Sequence, residues 1–266
     1  MTITEKSWIK YINDLRKVND AAASKMLEFL NLHRDADGLW NSKAVRQLII
    51  DYAYGLSEKY GNAASELACE MYESIGAMSD VVIPAAVLAQ PATYGEVAKT
   101  VNGILKASNN EELISSGVAR LVKMAGVDTV INNALRDGAE WAWIPHGDTC
   151  AFCITLASRG WQRASKAAIK NGHAEHIHAN CDCTYAVRFN SSTQVQGYDP
   201  EEYLELYNGK GIDAETWDGA HTPDEKINAM RRQFYKINKE EINEQKRSAY
   251  AKRKELETSA AEELNV

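Results

Sequence analysis

Apolar residues recur at helical spacing through the first part of the chain, and this pattern predicts a body made almost entirely of α-helices. The first stripe predicts an amphipathic helix over residues 6–31. Two further stripes predict helices from Val45 to Leu56 and from Ala64 to Ile75, with "KYGN" (59–62) as the break between them. Cys69 falls inside the third stripe, where we interpret it as a small, half-buried packing residue.

Start and stop signals for helices continue beyond these stripes. Pro84 and Pro91 predict an irregular connector, because proline lacks the amide hydrogen that a helix interior needs. Thr93 is a suitable N-cap for one more helix, and another helical stretch begins at Asn110 and continues to Gly138.

A different pattern begins after this helical part. Trp141 and Trp143 alternate with small residues, and the alternation in residues 181–189, "CDCTYAVRF", predicts a short strand. A short helix and loops follow, including a turn at "NGKG" (208–211).

The C-terminal part opens with a strong helix-start signal. Thr222 can cap, Pro223 suits the first turn, and Glu225 can complete a capping box. The charged sequence beyond residue 237 is expected to be a solvated or frayed helix end, with a partner-binding helix as the alternative. The helix carries a heptad-like apolar stripe made of Ile227, Met230, Phe234 and Ile237.

These patterns predict a mainly α fold in three parts. A helical domain is expected over residues 1–140 and a small α+β module over residues 141–220. A long, charged C-terminal helix or tail is expected over residues 221–266.

Composition narrows the classes of function. The formal net charge is −7 and the pI is about 5.5, which argues against a general nucleic-acid binder with a basic surface. No apolar run is long enough for a membrane span, and the N-terminus lacks the apolar segment of a secretory signal. We therefore expect a reducing compartment, where clustered thiols are more often metal ligands than disulfides.

A cluster of soft donor residues is the main candidate site. Cys150 and Cys153 form a C-x-x-C pair, and Cys181 and Cys183 form a C-x-C pair that His178 precedes. Zinc requires four tetrahedral nitrogen or sulfur donors, and two short pairs can supply them. The sequence therefore predicts a structural zinc site, a zinc-knot-like element within the α+β module. Which four of these five donors bind the ion stays open: Cys150 and Cys153 are joined by two of His178, Cys181 and Cys183.

Enzymatic hypotheses compete with this structural interpretation. His173 to Glu175 reads H-x-E, which together with C-x-x-C is the signature of zinc deaminases, with Glu175 as the candidate proton-transfer group. The order of the two motifs is reversed here, and Thr149 stands where a proline is expected. A catalytic zinc also needs an open position, which two extra cysteines would close. Reduced thiols or oxidised cysteine pairs would also be consistent with this spacing, and we expect no enzymatic activity.

The segment from Cys150 to Thr184 is called the Cys/His block here. Its spacing resembles the C-terminal motif of the phage minor head protein family, the MuF-like head morphogenesis group. The family form has Pro and Arg where this chain has Ala179 and Asp182. The helical "DYAYGLSEKYGNAASELACEMYE" is similar to that group too, and the resemblance spans roughly residues 6–220. The matching residues are Cys150, Cys153, Leu156, Gly160, Trp161, His178, Asn180, Cys181, Cys183 and Thr184.

The resemblance implies a minor capsid protein of a tailed phage of Gram-positive bacteria. Such a protein is a virion component that acts near the portal in head assembly or DNA delivery. Its expected partners are the portal protein and other head proteins, with no membrane and no specific nucleic acid. Its expected location is the virion head, and the host cytoplasm during assembly. Self-association through the C-terminal helix is a further expectation, and a link to capsid maturation is the alternative role.

Overall fold

The computed structural model describes residues 2–3, 5–34, 40, 42–108, 110–146, 149–165, 183–240, 243–244 and 247. Its helices are α1 (Glu5–Leu32), α2 (Lys43–Met78), α3 (Tyr94–Ala107), α4 (Glu111–Asp137), α5 (Ala151–Ala157), α6 (Pro200–Tyr207), α7 (Ala214–Trp217) and α8 (Pro223–Ile237). Its strands are β1 (Thr2–Ile3), β2 (Glu140–Ile144), β3 (Gln162–Arg163), β4 (Thr184–Arg188) and β5 (Gln194–Val195). The predicted mainly α class is confirmed, together with a small β component.

Contacts divide the chain into two compact units. The first unit comprises Met1–Thr149 and Arg159–Pro200, and the second comprises Cys150–Ser158 and Glu201–Val266. This division is based on contacts, and its boundaries differ from the predicted domain boundaries at residues 140 and 220. The predicted domain boundaries stay predictions.

Local capping explains where the helices of the first unit begin and end. Thr93 and Glu96 form a reciprocal capping box at the start of α3, and the Asn110 side chain accepts a hydrogen bond from the Leu113 amide at the start of α4. Helix α4 ends at Gly138 in the left-handed conformation, with φ of 65°. The predicted helix over 6–31 and the predicted caps are therefore confirmed.

Helix α2 corrects the sequence prediction. The expected break at 59–62 is wrong, because one helix of 36 residues runs through it. Gly61 is buried, and a Cβ added there would lie 3.0 Å from the Pro91 Cβ and 3.5 Å from the Ala125 Cβ. The glycine thus permits a close approach of neighbouring segments rather than a turn.

The core of the first unit lies among its four long helices. Helix α4 packs against α1, α2 and α3, and it supplies the centre of the apolar interior. The cluster of buried side chains consists of Met26, Leu30, Trp40, Ile49, Ile50, Ala53, Leu56, Val97, Val101, Leu105, Ile114, Val118 and Leu121.

The segment joining α2 to α3, residues 81–93, has no regular secondary structure and is called the strap here. Side chains of α2 and α4 hold it by its main chain. Asn133 accepts a hydrogen bond from the Val87 amide at 2.9 Å and donates one to the Val87 carbonyl at 2.8 Å. The Ala89 amide donates to the Thr129 hydroxyl at 2.9 Å. Further main-chain atoms of the strap are bound by Ser65, Glu73 and Arg136.

A three-stranded antiparallel sheet in the order β3-β2-β4 completes the first unit, and β1 pairs with β5 in parallel. The register of β2 and β4 sets Trp143 opposite Tyr185 and Ile144 opposite Thr184. The predicted strand at the end of the Cys/His block is confirmed over β4, whereas β1, β2, β3 and β5 were not predicted.

The second unit contains α5 to α8. Helix α8 begins with the predicted capping box, in which Thr222 accepts from the Glu225 amide and Glu225 accepts from the Thr222 amide. Only part of the predicted stripe is covered: Met230 is buried, but Phe234 is 53% exposed and Ile237 is 69% exposed. Within the described ranges, no helix is long and apolar enough to cross a membrane.

Candidate functional site

The C-x-x-C pair lies at the start of α5. Cys150 occupies the N-cap position with φ of −72° and ψ of 161°, and its carbonyl accepts a hydrogen bond from the Ile154 amide. Cys153 lies in the first turn and is buried, at 1% exposure. Cys150 and Cys153 therefore flank the first turn of α5, one at the N-cap and the other at the third helical position.

Cys183 directly precedes β4 and is also buried. Its neighbour Thr184 pairs with Ile144 at the end of β2, so the strand register fixes the position of Cys183 in the first unit. Cys150 and Cys153 belong to the second unit. Both buried thiols thus stand at the ends of regular elements, where the backbone is held by hydrogen bonds.

An aromatic platform supports the β2–β4 pair. Trp141 and Trp143 contact Tyr185 edge-on, with ring centroids 4.8 and 4.6 Å apart. All three rings are buried. Burial also raises the pKa of Tyr11. The hydroxyl of Tyr11 therefore stays protonated and cannot serve as a general base near neutral pH.

A charged and aromatic group on the same sheet was missed by the sequence analysis. The Arg188 guanidinium donates to the Glu140 carboxylate at 2.6 Å and lies 4.6 Å from the centre of the Trp161 ring. Trp161 in turn contacts Tyr198 edge-on. No local sequence pattern indicates this group, because only the β2–β4 register brings Glu140 and Arg188 together.

The remaining predicted donors lie outside the described residues. His178 and Cys181 are among them, as are His173, Glu175 and His176, on which the deaminase hypothesis rests. Among the residues that the structure describes, no group of three or more His, Cys, Asp or Glu side chains could hold a metal ion. The zinc site and its ligand set therefore stay predictions.

One acidic residue outside the Cys/His block has an unusual environment. Burial, with a smaller contribution from the negative charge of Glu96, raises the pKa of Asp128 on α4 to about 6. A carboxyl group with such a pKa changes charge just below neutral pH. The signal was present in the sequence, since Asp128 is the only ionisable residue in the apolar run from Met124 to Ile131.

Comparison with protein families decides the affiliation of the chain. The VG15 protein family matches residues 2–209, most of the 266-residue chain. The chain belongs to the VG15 protein family. VG15 is a family of phage proteins, so the expectation of a phage protein is confirmed. The match does not show the more specific MuF-like assignment, which stays a prediction. Comparison of this VG15 family member with curated proteins and with solved structures gave no match.

Proposed function

We propose that this VG15 family member is a structural protein of the phage head, a minor capsid or head morphogenesis protein that acts near the portal. The observation that carries the proposal is the family match over residues 2–209, which spans both the helical body and the whole Cys/His block. The block is also the part of the chain that resembles minor head proteins in its spacing. The protein enters the virion during head assembly in the host cytoplasm, and its role there is in assembly or DNA delivery.

A structural zinc ion in the Cys/His block is the second part of the proposal. The donors would be Cys150 and Cys153 with two of His178, Cys181 and Cys183. Two observations support it: Cys153 and Cys183 are buried thiols, and Cys150 and Cys153 share one helical turn. When bound, zinc would contribute free energy of folding. A site closed by four protein donors has a structural role and leaves no position for substrate.

The role in the virion is tested by mass spectrometry of purified particles and by co-purification with the portal protein. The proposal expects the protein in mature particles at low copy number, together with a complex with the portal protein from infected cells. Absence from both particles and assembling heads would contradict it. A protein found only in assembling heads would instead assign it to assembly alone, and the role in DNA delivery would then be wrong.

The zinc site is tested by elemental analysis of the purified chain. One zinc per chain is expected for the native protein, and Cys150→Ser is expected to lose it and to unfold residues in the 141–190 region. The helical body should keep its circular dichroism, because its core does not contain the block. Cys69→Ser is the matched control, since Cys69 lies on α2 and its loss should leave the zinc content unchanged. Unchanged melting in Cys150→Ser and no metal in the native chain would contradict the proposal.

A further inference from the structure

Helix α8 presents an apolar and basic surface to solvent. Its inner side carries Ala229 and Met230, which are buried. Phe234 and Tyr235 are exposed one turn after the exposed Arg231, and Lys239 is exposed just beyond the end of the helix. We call these four residues the basic arc.

Helix α6 of the same unit presents a surface of opposite charge. Tyr203, Leu206 and Tyr207 are partly covered, whereas the outer side carries Leu204, at 37% exposure, together with three glutamates. Glu205 also pairs with Lys210 on the following turn. We call this outer side, made of Glu201, Glu202, Leu204 and Glu205, the acidic arc.

The charges of the basic arc limit what can cover its aromatic residues. A second α8 is an unfavourable partner, because two basic arcs in contact would bring Arg231 and Lys239 of one copy against the same cations of the other. The surface suits an apolar residue flanked by carboxylates. That combination is what α6 presents, with Leu204 among its glutamates.

We propose that the acidic arc of one copy of this chain docks on the basic arc of a second copy. Leu204 of the one would contact Phe234 and Tyr235 of the other, and the glutamates would face Arg231 and Lys239. Because the two surfaces differ, the contact is head-to-tail, and repetition closes into a ring or extends into a filament. Both arcs are small, so the contact is weak and salt-dependent. This inference does not depend on the role in the phage head.

The experiment is sedimentation velocity on the full chain at low ionic strength over a range of concentrations. The native protein is expected to grow in average mass with concentration, and added salt should reverse the growth. Arg231→Glu and Glu202→Arg should each weaken association roughly tenfold. Mixing the two variants in equal amounts should restore it, because each variant then meets a partner of opposite charge.

Control variants separate this contact from a general effect of net charge. Arg16→Glu makes the same change of net charge at an exposed position on α1 and should leave association unchanged. Phe234→Ser should weaken association without altering the circular dichroism, since Phe234 is exposed. A native chain that is monomeric at every concentration would overturn the proposal. So would variants that do not recover on mixing, or stronger association of Arg231→Glu with no effect of Glu202→Arg, which is the result expected for α8 against α8.

Discussion

Each of the two units of this protein is stabilised internally in a different way. The four-helix body of the first unit buries large side chains such as Trp40, Ile49 and Ile114, all at 0% exposure. In the second unit the described buried apolar side chains are mostly small, with Leu156 and Met230 as the largest. Its ion pairs, such as that of Lys236 with Asp213 at 3.1 Å, are exposed.

This difference indicates where stability comes from in each unit. Burial of large apolar side chains dominates folding free energy, whereas exposed ion pairs contribute little. The first unit therefore resembles an ordinary helical domain. The second unit has a shallow core and depends more on additional constraints, of which the proposed zinc ion would be one.

The largest effect is expected from the core of the first unit. Ile49→Ala removes a fully buried side chain and should lower the free energy of unfolding by about 2–5 kcal/mol, measured by urea denaturation. Leu48→Ala is the matched control, because Leu48 is half exposed on the same turn of α2 and should change stability by less than about 0.5 kcal/mol. Equal effects of the two substitutions would show that the first unit is not stabilised by this core.

A partly buried carboxyl group is expected to make the first unit pH-sensitive. The pKa of Asp128 is raised from 3.8 to about 6, so the folded chain holds this proton more tightly than the unfolded chain does. Stability should therefore fall as the pH rises from about 4 to 6. Asp128→Asn removes the charge and should stabilise the protein at pH 8 by at most about 3 kcal/mol, with almost no effect near pH 4.

Urea denaturation at the two pH values checks this prediction. Asp20→Asn is the control, because Asp20 is exposed on α1 and its loss should give no pH-dependent gain. If Asp128→Asn raised the free energy of unfolding equally at both pH values, the stabilisation would not come from removing the charge of a desolvated carboxylate, and the prediction would be wrong.

The smallest effect is expected in the second unit. Met230→Ala should cost about 2 kcal/mol, the low end for a buried methionine, because the other buried apolar side chains described in this unit are mainly alanines. Hydrogen exchange of the α8 amides measures this loss within the unit. An effect as large as that of Ile49→Ala would remove the contrast between the two cores.

Much of the first unit could be predicted from local sequence patterns. The caps at Thr93 and Asn110, like that at Thr222 in the second unit, act within one helical turn, so the signal and the structure are close together in the chain. The apolar periodicity of α1 and α4 has the same local origin. These elements were predicted correctly because helices are built from contacts between near neighbours.

The remainder depends on contacts between distant residues. A glycine such as Gly61 is suited both to a turn and to a close packing contact. Only the position of Pro91 in the structure shows that the close contact applies here. The pairing of β2 with β4 joins residues forty or more positions apart, so neither the aromatic platform nor the Arg188 contacts could be read locally. For the candidate site, the sequence predicts which residues are the metal donors. Whether these donors come together depends on contacts between distant residues, as the pairing of β2 with β4 does.

The strap has a consequence for how this sequence can change. Asn133, Thr129 and their neighbours bind main-chain atoms, which all residue types except proline share, while Val82, Val87 and Leu88 point their side chains to solvent. Substitutions at these three positions therefore leave the anchoring bonds in place. The exposed side chains of the strap can therefore change in chemical character while the hydrogen bonds to its main chain are kept. Sequence variation at these positions is compatible with an unchanged fold.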